Sequence, residues 1–290
     1  MIDRNDPCFC GSGKKWKKCH YPEKPPTSHL EMKERYAKKY GIILKTPEQI
    51  DKIRDACRLA ATILDALCKE AKEGVTTNEL DRLSQKLHLE AGAIPAPLGY
   101  GEPPFPKTIC TSLNEVICHG IPDNKKLENG DILNIDVTSI LDGFYGDCSR
   151  MVAIGTIDEE KQRVSDVSLE CLTEAIKICK PGVLISQIGE VIEKIARKEK
   201  FSVVDQFVGH GVGVSFHEAP QIPHHLNSVH IPMAEGMTFT IEPMINVGKR
   251  KGVIDSKNGW VARTVDNKPS AQWEHTIVIT ESGHEILTAL

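Results

Sequence analysis

Seven acidic and imidazole side chains lie in a fixed order along the last two-thirds of this chain of 290 residues. Four carboxylates with one histidine form a hard-donor set that suits two divalent ions held side by side. Two ions about 3.5–4 Å apart activate water and stabilise the tetrahedral species that forms when this water attacks an amide. The residue types therefore predict metal-dependent peptide hydrolysis. The seven residues are His119, Asp136, Asp147, His210, His217, Glu242 and Glu274.

Two of the carboxylates are predicted to lie on neighbouring strands of one hairpin. Residues 131–141 are rich in β-branched and apolar side chains, and an Asp-Gly turn pair follows directly. Counting back from that turn places Thr138 opposite Asp147, and Asp136 projects from the same face as Thr138 because strand side chains alternate. Diagonal neighbours lie roughly 7–8 Å apart, so both carboxylates can reach one ion.

The other donors fall on glycine-rich or extended segments. His210 and His217 belong to a segment with too many glycines for a helix interior, so irregular or extended backbone is expected there. Two alternating segments are predicted as strands that carry the remaining carboxylates. They are 237–242, which ends on Glu242, and 272–279, which contains Glu274.

Five short motifs surround these residues. They are Cys118-His-Gly-Ile-Pro122, Asn134-Ile-Asp-Val137 with the stretch to Asp147, Gly209-His-Gly-Val-Gly213 with Phe216-His217, Thr240-Ile-Glu-Pro-Met244, and Ser270-Ala-Gln-Trp-Glu-His275. From about Ile42 to Leu290 the chain resembles the type I methionine aminopeptidases. The resemblance implies an α+β pita-bread fold, in which two pseudo-symmetric halves, each a helix pair with an antiparallel sheet, face a dinuclear metal cleft.

The resemblance also implies a role for each donor. Two divalent ions, of Mn, Fe, Co or Zn, would be held by Asp136, Asp147, His210, Glu242 and Glu274. A bridging hydroxide would attack the peptide, with Glu242 taking its proton. His119 and His217 would hydrogen-bond the scissile amide and the oxyanion-like intermediate. The implied reaction is removal of the initiator methionine from nascent proteins and peptides, with a preference for a small second residue.

The family's methionine pocket and its monovalent-cation site have counterparts in this chain. An aromatic and thiol lining suits a thioether, and it would consist of Tyr100, Phe105, Cys110, Phe216 and Trp260 beside His119 and His217. Two departures concern the rim, since Pro97 stands where many members have a small residue or Cys, and the 101–105 loop is two residues longer. The monovalent cation would lie at Asn114 and Ser270.

A separate cluster of ligands lies at the N-terminus. Cys8, Cys10, Cys19 and His20 offer three thiols and an imidazole around a Gly-Ser-Gly turn. This spacing predicts a closed tetrahedral site for one structural zinc, since so short a segment cannot bury a core of its own. The segment resembles the SEC-C motif, which serves in docking.

Charge divides the chain at about residue 40. Residues 1–40 carry ten Lys and Arg against five Asp and Glu, a net of +5, which leaves −9 for the rest of a total of −4. A basic head on an acidic body indicates a polyanionic partner, although solubility charge on a tail is the plainer explanation. The ribosome would be that partner, through ribosomal RNA or an acidic ribosomal protein that meets the lysines at 14, 15, 17 and 18, with Trp16 placed to stack.

The organisation expected from these features is a zinc motif over 1–22, a linker over 23–41 and a catalytic domain over 42–290. Thr46, Pro47 and Gln49 predict a capped helix start, and similar joints at 72–80 and 180–188 predict a helix pair in each half. No apolar run reaches the roughly 20 residues of a membrane span, and an apolar signal region is absent.

Seven of the ten cysteines are expected on apolar helix faces or beside the site, which indicates reduced thiols. We therefore expect a monomeric cytoplasmic enzyme with neither a membrane nor a DNA partner.

Two alternative enzyme classes share the same metal centre. Prolidases and aminopeptidase P carry a large N-terminal domain, and type II methionine aminopeptidases insert a helical subdomain where this chain has 24 residues between His217 and Glu242. A non-catalytic binding protein on the same fold would be expected to have lost metal ligands, and none is missing from this sequence.

Overall fold

The computed structural model describes residues 2–8, 13–21 and 28–290, except for the side chain of His29. None of the helices in these ranges is long and apolar enough to span a membrane. The helices are a 3-10 turn Trp16–Lys18, α1 His29–Tyr40, α2 Pro47–Glu70, α3 Thr77–Glu90, α4 Glu159–Lys177 and α5 Ser186–Lys198.

Short strands make up most of the remaining regular structure. They are β1 Ile94–Pro95, β2 Cys110–Leu113, β3 Val116–Cys118, β4 Ile132–Leu141, β5 Phe144–Ala153, β6 Ser202–Val203, β7 Gly209–Gly211, β8 Glu218–Ile222, β9 Thr238–Ile241, β10 Met244–Asn246, β11 Gly252–Ile254, β12 Ala262–Thr264, β13 Ser270–Gln272, β14 His275–Ile279 and β15 His284–Ile286.

The first half of the body packs α2 across the long hairpin of β4 and β5. The α2 helix starts as predicted, because the Thr46 hydroxyl accepts the Gln49 N–H and the Gln49 side chain accepts the Thr46 N–H. The sheet runs β1-β4-β2, with β5 also paired to β4. Apolar side chains of α2 and β4 form one core cluster, which includes Leu64, Leu67 and Ile135.

The register of the β4–β5 hairpin is the one predicted. Thr138 pairs with Asp147, and Asp136 pairs with Ser149. The turn residues Asp142 and Gly143 have φ of 50° and 82°. Two successive positive φ angles match the right-handed twist of a two-residue hairpin, which explains the Asp-Gly pair. One face of the hairpin therefore presents both aspartates.

The second half repeats the arrangement with α4 and α5. Residues 72–80 connect α2 to α3 and residues 180–188 connect α4 to α5, so the predicted helix-pair joints are confirmed. A five-stranded sheet β15-β14-β9-β7-β8 and a three-stranded sheet β13-β10-β6 lie beside this pair, and a further sheet β11-β12-β3 joins the halves. Phe239 and Ile192 are among the buried residues of this half's core.

The prediction of one continuous strand over 272–279 is wrong. The segment is divided between β13, which pairs with β10, and β14, which pairs with β9. Between them, Glu274 forms an isolated bridge with Ser149 of the hairpin, and its N–H donates to the Ser149 carbonyl at 3.1 Å. The chain leaves one sheet for another at this point, which turns Glu274 toward the hairpin that carries the two aspartates.

The stretch predicted as a linker contains α1, whose position is fixed by the body. Tyr36 is 5% exposed and packs in the core of the second half. Its hydroxyl donates to the Pro232 carbonyl at 2.9 Å. The helix begins at the Ser28 cap and ends at Gly41, which has a φ of 69°. Helix α1, within the predicted linker, is thus packed on the body.

In the head, Trp16 is packed inside and not presented to a partner. It is 8% exposed and meets Tyr21 edge to face, with ring centroids 5.2 Å apart. The expectation that Trp16 stacks on a nucleic-acid base is therefore wrong, because the indole is used as the small core of the head. The four neighbouring lysines at 14, 15, 17 and 18 are exposed.

Candidate metal centre

The two halves meet at a cavity of about 690 Å³, and all seven residues predicted to act in chemistry line it. The hairpin of the first half contributes Asp136 and Asp147. The second half contributes His210 from β7, Glu242 directly after β9, and Glu274 from the crossing between β13 and β14. Pro243 ends β9, so the carboxylate of Glu242 lies at a strand end, as predicted.

The donor atoms approach one another closely. The Nε2 atom of His210 is 3.7 Å from Oδ2 of Asp147 and 3.6 Å from Oε1 of Glu242. Single ligand atoms of Asp147, His210 and Glu274 all lie within 4.8 Å of one another. Separations of this size are those of atoms that share an ion with bonds of about 2 Å.

Hydrogen bonds orient these ligands. The Thr138 hydroxyl donates to Oδ1 of Asp147 at 2.7 Å. The Nδ1–H of His210 donates to the Gly211 carbonyl at 3.0 Å, so its Nε2 lone pair points to the carboxylates. Partners of this kind fix the ring orientation and tautomer of a metal-bound histidine.

Glu242 is held from three sides. The Thr240 hydroxyl donates to its Oε1 at 2.8 Å, and the Gln272 amide donates to its Oε2 at 3.0 Å. Its backbone N–H donates to Nε2 of the buried His224 at 3.1 Å. The carboxylate is thus fixed in one orientation.

The buried carboxylates of the site need positive charge to compensate them. Desolvation and the neighbouring Asp147 raise the pKa of Asp136 well above its usual range. Desolvation, with the charge of Asp147 next, likewise raises the pKa of Glu274, and desolvation raises the pKa of Asp147 to about 7. No lysine or arginine lines this part of the cavity among the residues that the structure describes. Four crowded carboxylates with a neutral imidazole are satisfied by divalent cations, so the donor set fits such ions.

His119 and His217 line the same cavity as the donors. Desolvation lowers the pKa of each to about 4, so both are neutral near pH 7 and each has one N–H to donate. His119 has a φ of 55°, a backbone conformation that costs a non-glycine residue about 1–3 kcal/mol. His119 directly follows β3, and its imidazole lines the cavity.

The walls of the cavity are aromatic. Tyr100 lies against Phe216 and His217, with ring centroids 4.8 and 5.1 Å apart, and Trp260 meets Phe105 and His119 at 5.3 and 5.9 Å. The predicted pocket residues Tyr100, Phe105, Cys110, Phe216 and Trp260 are therefore brought together, and Pro97 joins them at the rim.

Asn114 and Ser270, predicted for a monovalent cation, are neighbours outside this cavity. The Ser270 N–H donates to the Asn114 carbonyl at 2.9 Å. The Asn114 side chain donates to Asp131 at 2.7 Å and accepts the Ile132 N–H at 3.1 Å. The oxygens of Asn114 therefore already have donors within the protein.

Four supporting residues were not predicted from the sequence. Thr138 and Thr240 lie two positions from a ligand on the same strand face, so alternation could have identified them. Gln272 and His224 reach Glu242 from other segments, and only the folded structure brings them there.

Three of the four predicted zinc ligands converge in the head. The Sγ atoms of Cys8 and Cys19 are 3.1 and 3.2 Å from Nδ1 of His20, and these ligand atoms could hold one ion. The fourth, Cys10, lies outside the described residues.

Known proteins match the chain over both parts. Residues 51–281 match the metallopeptidase family M24, and residues 4–22 match the SEC-C motif. A methionine aminopeptidase of Chlamydia muridarum is 66% identical over 289 residues, which are 100% of this chain and 99% of the relative. The crystal structure of methionine aminopeptidase from Rickettsia prowazekii superposes with a TM-score of 0.83 at 44% identity, covering 86% of this chain and 100% of that chain.

A prolidase from Pyrococcus furiosus shares the fold alone, with a TM-score of 0.67 at 24% identity over 85% of this chain and 65% of that chain. The pita-bread fold and the resemblance to type I methionine aminopeptidases are thus confirmed. Members of this family use divalent metal ions in the active site. The chain belongs to metallopeptidase family M24, within its methionine aminopeptidases, and is a metal-dependent hydrolase.

Proposed function

We propose that this chain removes the initiator methionine from nascent proteins and peptides and prefers a small second residue. The observation that supports this most directly is the convergence of four carboxylates and His210 at one aromatic-walled cavity between the two halves. A prolidase activity is disfavoured because the prolidase likeness is to the fold alone.

Two divalent ions are proposed at Asp136, Asp147, His210, Glu242 and Glu274. When bound, they supply an activated water and positive charge for the developing oxyanion. Mn, Fe, Co and Zn all suit this donor set of carboxylates and imidazole.

The remaining steps belong to side chains of the protein. Glu242, fixed by Thr240 and Gln272, is placed to accept the proton of the attacking water and return it to the leaving amine. Neutral His119 and His217 donate hydrogen bonds to the scissile peptide and to the tetrahedral oxyanion. The first side chain lies among Tyr100, Phe105, Cys110, Phe216 and Trp260, whose soft surfaces suit a thioether.

The test is methionine release by metal-free enzyme refilled with each of the four metals in turn. We expect free methionine from a Met-Gly peptide with at least one metal, and at least about tenfold less from a Met-Leu peptide, as size exclusion by a pocket gives. Release of no methionine with any metal, or cleavage of Xaa-Pro dipeptides instead, would contradict the proposal.

We further propose that Cys8, Cys10, Cys19 and His20 hold one structural zinc. The shared approach of two thiols to one imidazole nitrogen supports a common ion, and four protein ligands leave no position open for catalysis. Protein that begins at Ser28 should contain one zinc fewer than the full chain. Equal zinc content in the two proteins would exclude a zinc site in the head.

The head over 1–22 is also proposed to hold the enzyme near its substrate at the ribosome, as a monomeric cytoplasmic protein. Exposed lysines at 14, 15, 17 and 18 support contact with ribosomal RNA or an acidic ribosomal protein. The division into a head, a linker over 23–41 and a catalytic domain over 42–290 is part of this proposal, with α1 of the linker packed on the body.

A further inference from the structure

One wall of the cavity is assembled from two loops that interlock. Residues 100–105, here called the rim loop, are closed by backbone hydrogen bonds, as the Phe105 N–H donates to the Tyr100 carbonyl and the Gly99 N–H donates to the Phe105 carbonyl, both at 2.8 Å. The facing loop carries Trp260, whose N–H donates to the Asn258 side chain at 2.9 Å. Each loop therefore has a defined shape of its own.

The contact between the loops leaves the indole of Trp260 little freedom. Its Nε1–H donates to the Pro103 carbonyl at 2.8 Å. A Cβ atom on Gly101 would lie 2.5 Å from the Cη2 atom of the indole, and a Cβ atom on Gly259 would lie 3.0 Å from the Pro103 ring. Only glycine at 101 allows the ring to lie this close to the loop.

The interlocked residues face the reacting groups from both sides. Tyr100, at the start of the rim loop, packs against His217, and Trp260 packs edge-on against His119. Phe105, at the end of the loop, is buried against the same indole. A half-exposed indole without such contacts would sample several rotamers, and the pocket width would vary with it.

We propose that the rim loop and Trp260 form a fixed wall that sets the width of the pocket for the substrate's first side chain. Gly101 and Pro103 are positioning residues in this wall and act through Trp260. The inference rests on the proposed function, because it assumes that the first side chain enters this pocket. A pocket wall distinguishes side chains that differ by one methylene by about 10–200-fold only when its position is fixed.

Two glycines of the same segment provide a matched pair of variants. Gly101 and Gly99 have φ of 75° and 80°, so alanine imposes the same backbone strain at either position. The Cβ atom collides with Trp260 only at Gly101, since nothing lies within 4 Å of a Cβ atom at Gly99. The difference between Gly101→Ala and Gly99→Ala therefore measures displacement of the indole.

For Gly101→Ala we expect the KM for a Met-Gly peptide to rise at least about tenfold, while kcat and metal content stay within about threefold of the parent. Gly99→Ala should stay within about threefold of the parent in both constants. Trp260→Phe, which lacks the donor to Pro103, should reduce the preference for methionine over leucine at the first position by about tenfold. Thermal midpoints of all variants show whether each is folded.

Equal KM values for the two alanine variants, or an unchanged methionine-to-leucine ratio in folded Trp260→Phe, would overturn the fixed-wall inference. Loss of kcat and metal in Gly101→Ala would overturn it as well, since the wall would then support the metal centre. Failure of the parent enzyme to release methionine from any peptide is a separate result, which contradicts the proposed function itself.

Discussion

The position of Asp136 in the site depends on strand register. It lies on β4 opposite Ser149 and is brought to the cavity only because the turn at Asp142 and Gly143 fixes the pairing of ten residue pairs. A register shift of one residue would turn its side chain to the other face of the sheet. Its neighbours Ile135 and Val137 are wholly buried on that other face.

Asp136→Asn should remove metal from the body and lower methionine release by more than about 100-fold, above the 10–100-fold range typical of partners of metal ligands. The amide keeps the shape of the side chain but loses the negative charge that a hard cation requires. Metal analysis and peptide assays measure both effects. Asp142→Asn, an equivalent change at the exposed turn of the same hairpin, is the control and should leave both unchanged. Full metal content in Asp136→Asn would contradict its role as a ligand.

His119 and His217 are proposed to donate hydrogen bonds to the reacting peptide and not to bind metal. Each variant, His119→Ala and His217→Ala, should keep its metal and lose about 100–1,000-fold in kcat, as removal of one oxyanion donor does. The neutral state that results from their lowered pKa of about 4 gives both rings an N–H at neutral pH. Stoichiometric loss of metal from either folded variant would reassign that histidine as a ligand.

Elements differ in how far local sequence determines them. The start of α2 follows from Thr46 and Gln49, and the β4–β5 register follows from an Asp-Gly turn, because both depend on neighbours in the chain. The crossing at Glu274 and the packing of α1 through Tyr36 do not follow from local pattern. Each is decided by a partner more than 100 residues away, Ser149 for the first and Pro232 for the second. The alternation of residues 272–279 predicted one strand, whereas the segment is divided between two sheets.

The donor set could be recognised from the sequence, but two of its four supports, Gln272 and His224, could not. The five proposed ligands stand out because carboxylates and histidines in apolar or glycine-rich strands require compensation. Gln272 and His224 carry no such signal, since a polar residue at a strand end is ordinary. Their importance follows from a single contact each with Glu242, which folding alone creates.

A buried ion pair joins two elements next to the site. Lys45, directly before the α2 cap, contacts Glu218, the first residue of β8 and the neighbour of His217. The two side chains are 1% and 9% exposed. Desolvation lowers the pKa of Lys45 and raises that of Glu218, while each charge opposes the shift of the other. The pair therefore holds both charges in the interior only while both partners are present.

Lys45→Met should lower the free energy of unfolding by about 3–5 kcal/mol, because it leaves Glu218 buried without its counter-charge. The double variant Lys45→Met/Glu218→Leu should recover much of this loss, since it removes both buried charges. Denaturant titration measures each value. Lys177→Met, in an exposed pair with Glu174, is the control and should change stability by less than about 1 kcal/mol. Additive effects of the Lys45 and Glu218 changes would show that the two charges do not interact.

At the scale of the whole molecule, residues 1–40, which contain the head and α1, carry a net charge of +5, and the remaining residues carry −9. A net negative body disfavours contact with ribosomal RNA, so the proposed ribosome contact is assigned to the head. Because α1 is packed on the body through Tyr36, removal of α1 would disturb the body as well as detach the head. Truncation for any functional test therefore belongs before Ser28, as a later start would remove a core residue.

Replacing the four exposed lysines at 14, 15, 17 and 18 with glutamine in the full chain should weaken co-sedimentation with ribosomes and leave turnover of a Met-Gly peptide unchanged. Binding through phosphates releases counterions, so the logarithm of the affinity should fall with the logarithm of salt concentration by about one per contact. The variant should lower that slope as well as the affinity. Protein that begins at Ser28 should behave in the same way.

The matched control removes the same charge from the body, by glutamine at the exposed Lys125, Lys126, Lys194 and Lys257. If net charge alone governed ribosome binding, both sets of changes would weaken it equally, because the total charge of the two proteins is the same. If the binding site is in the head, only the changes to the head lysines should weaken ribosome binding. Equal co-sedimentation of the parent and the head variant at low salt would contradict ribosome tethering and leave the head as a docking module for another partner.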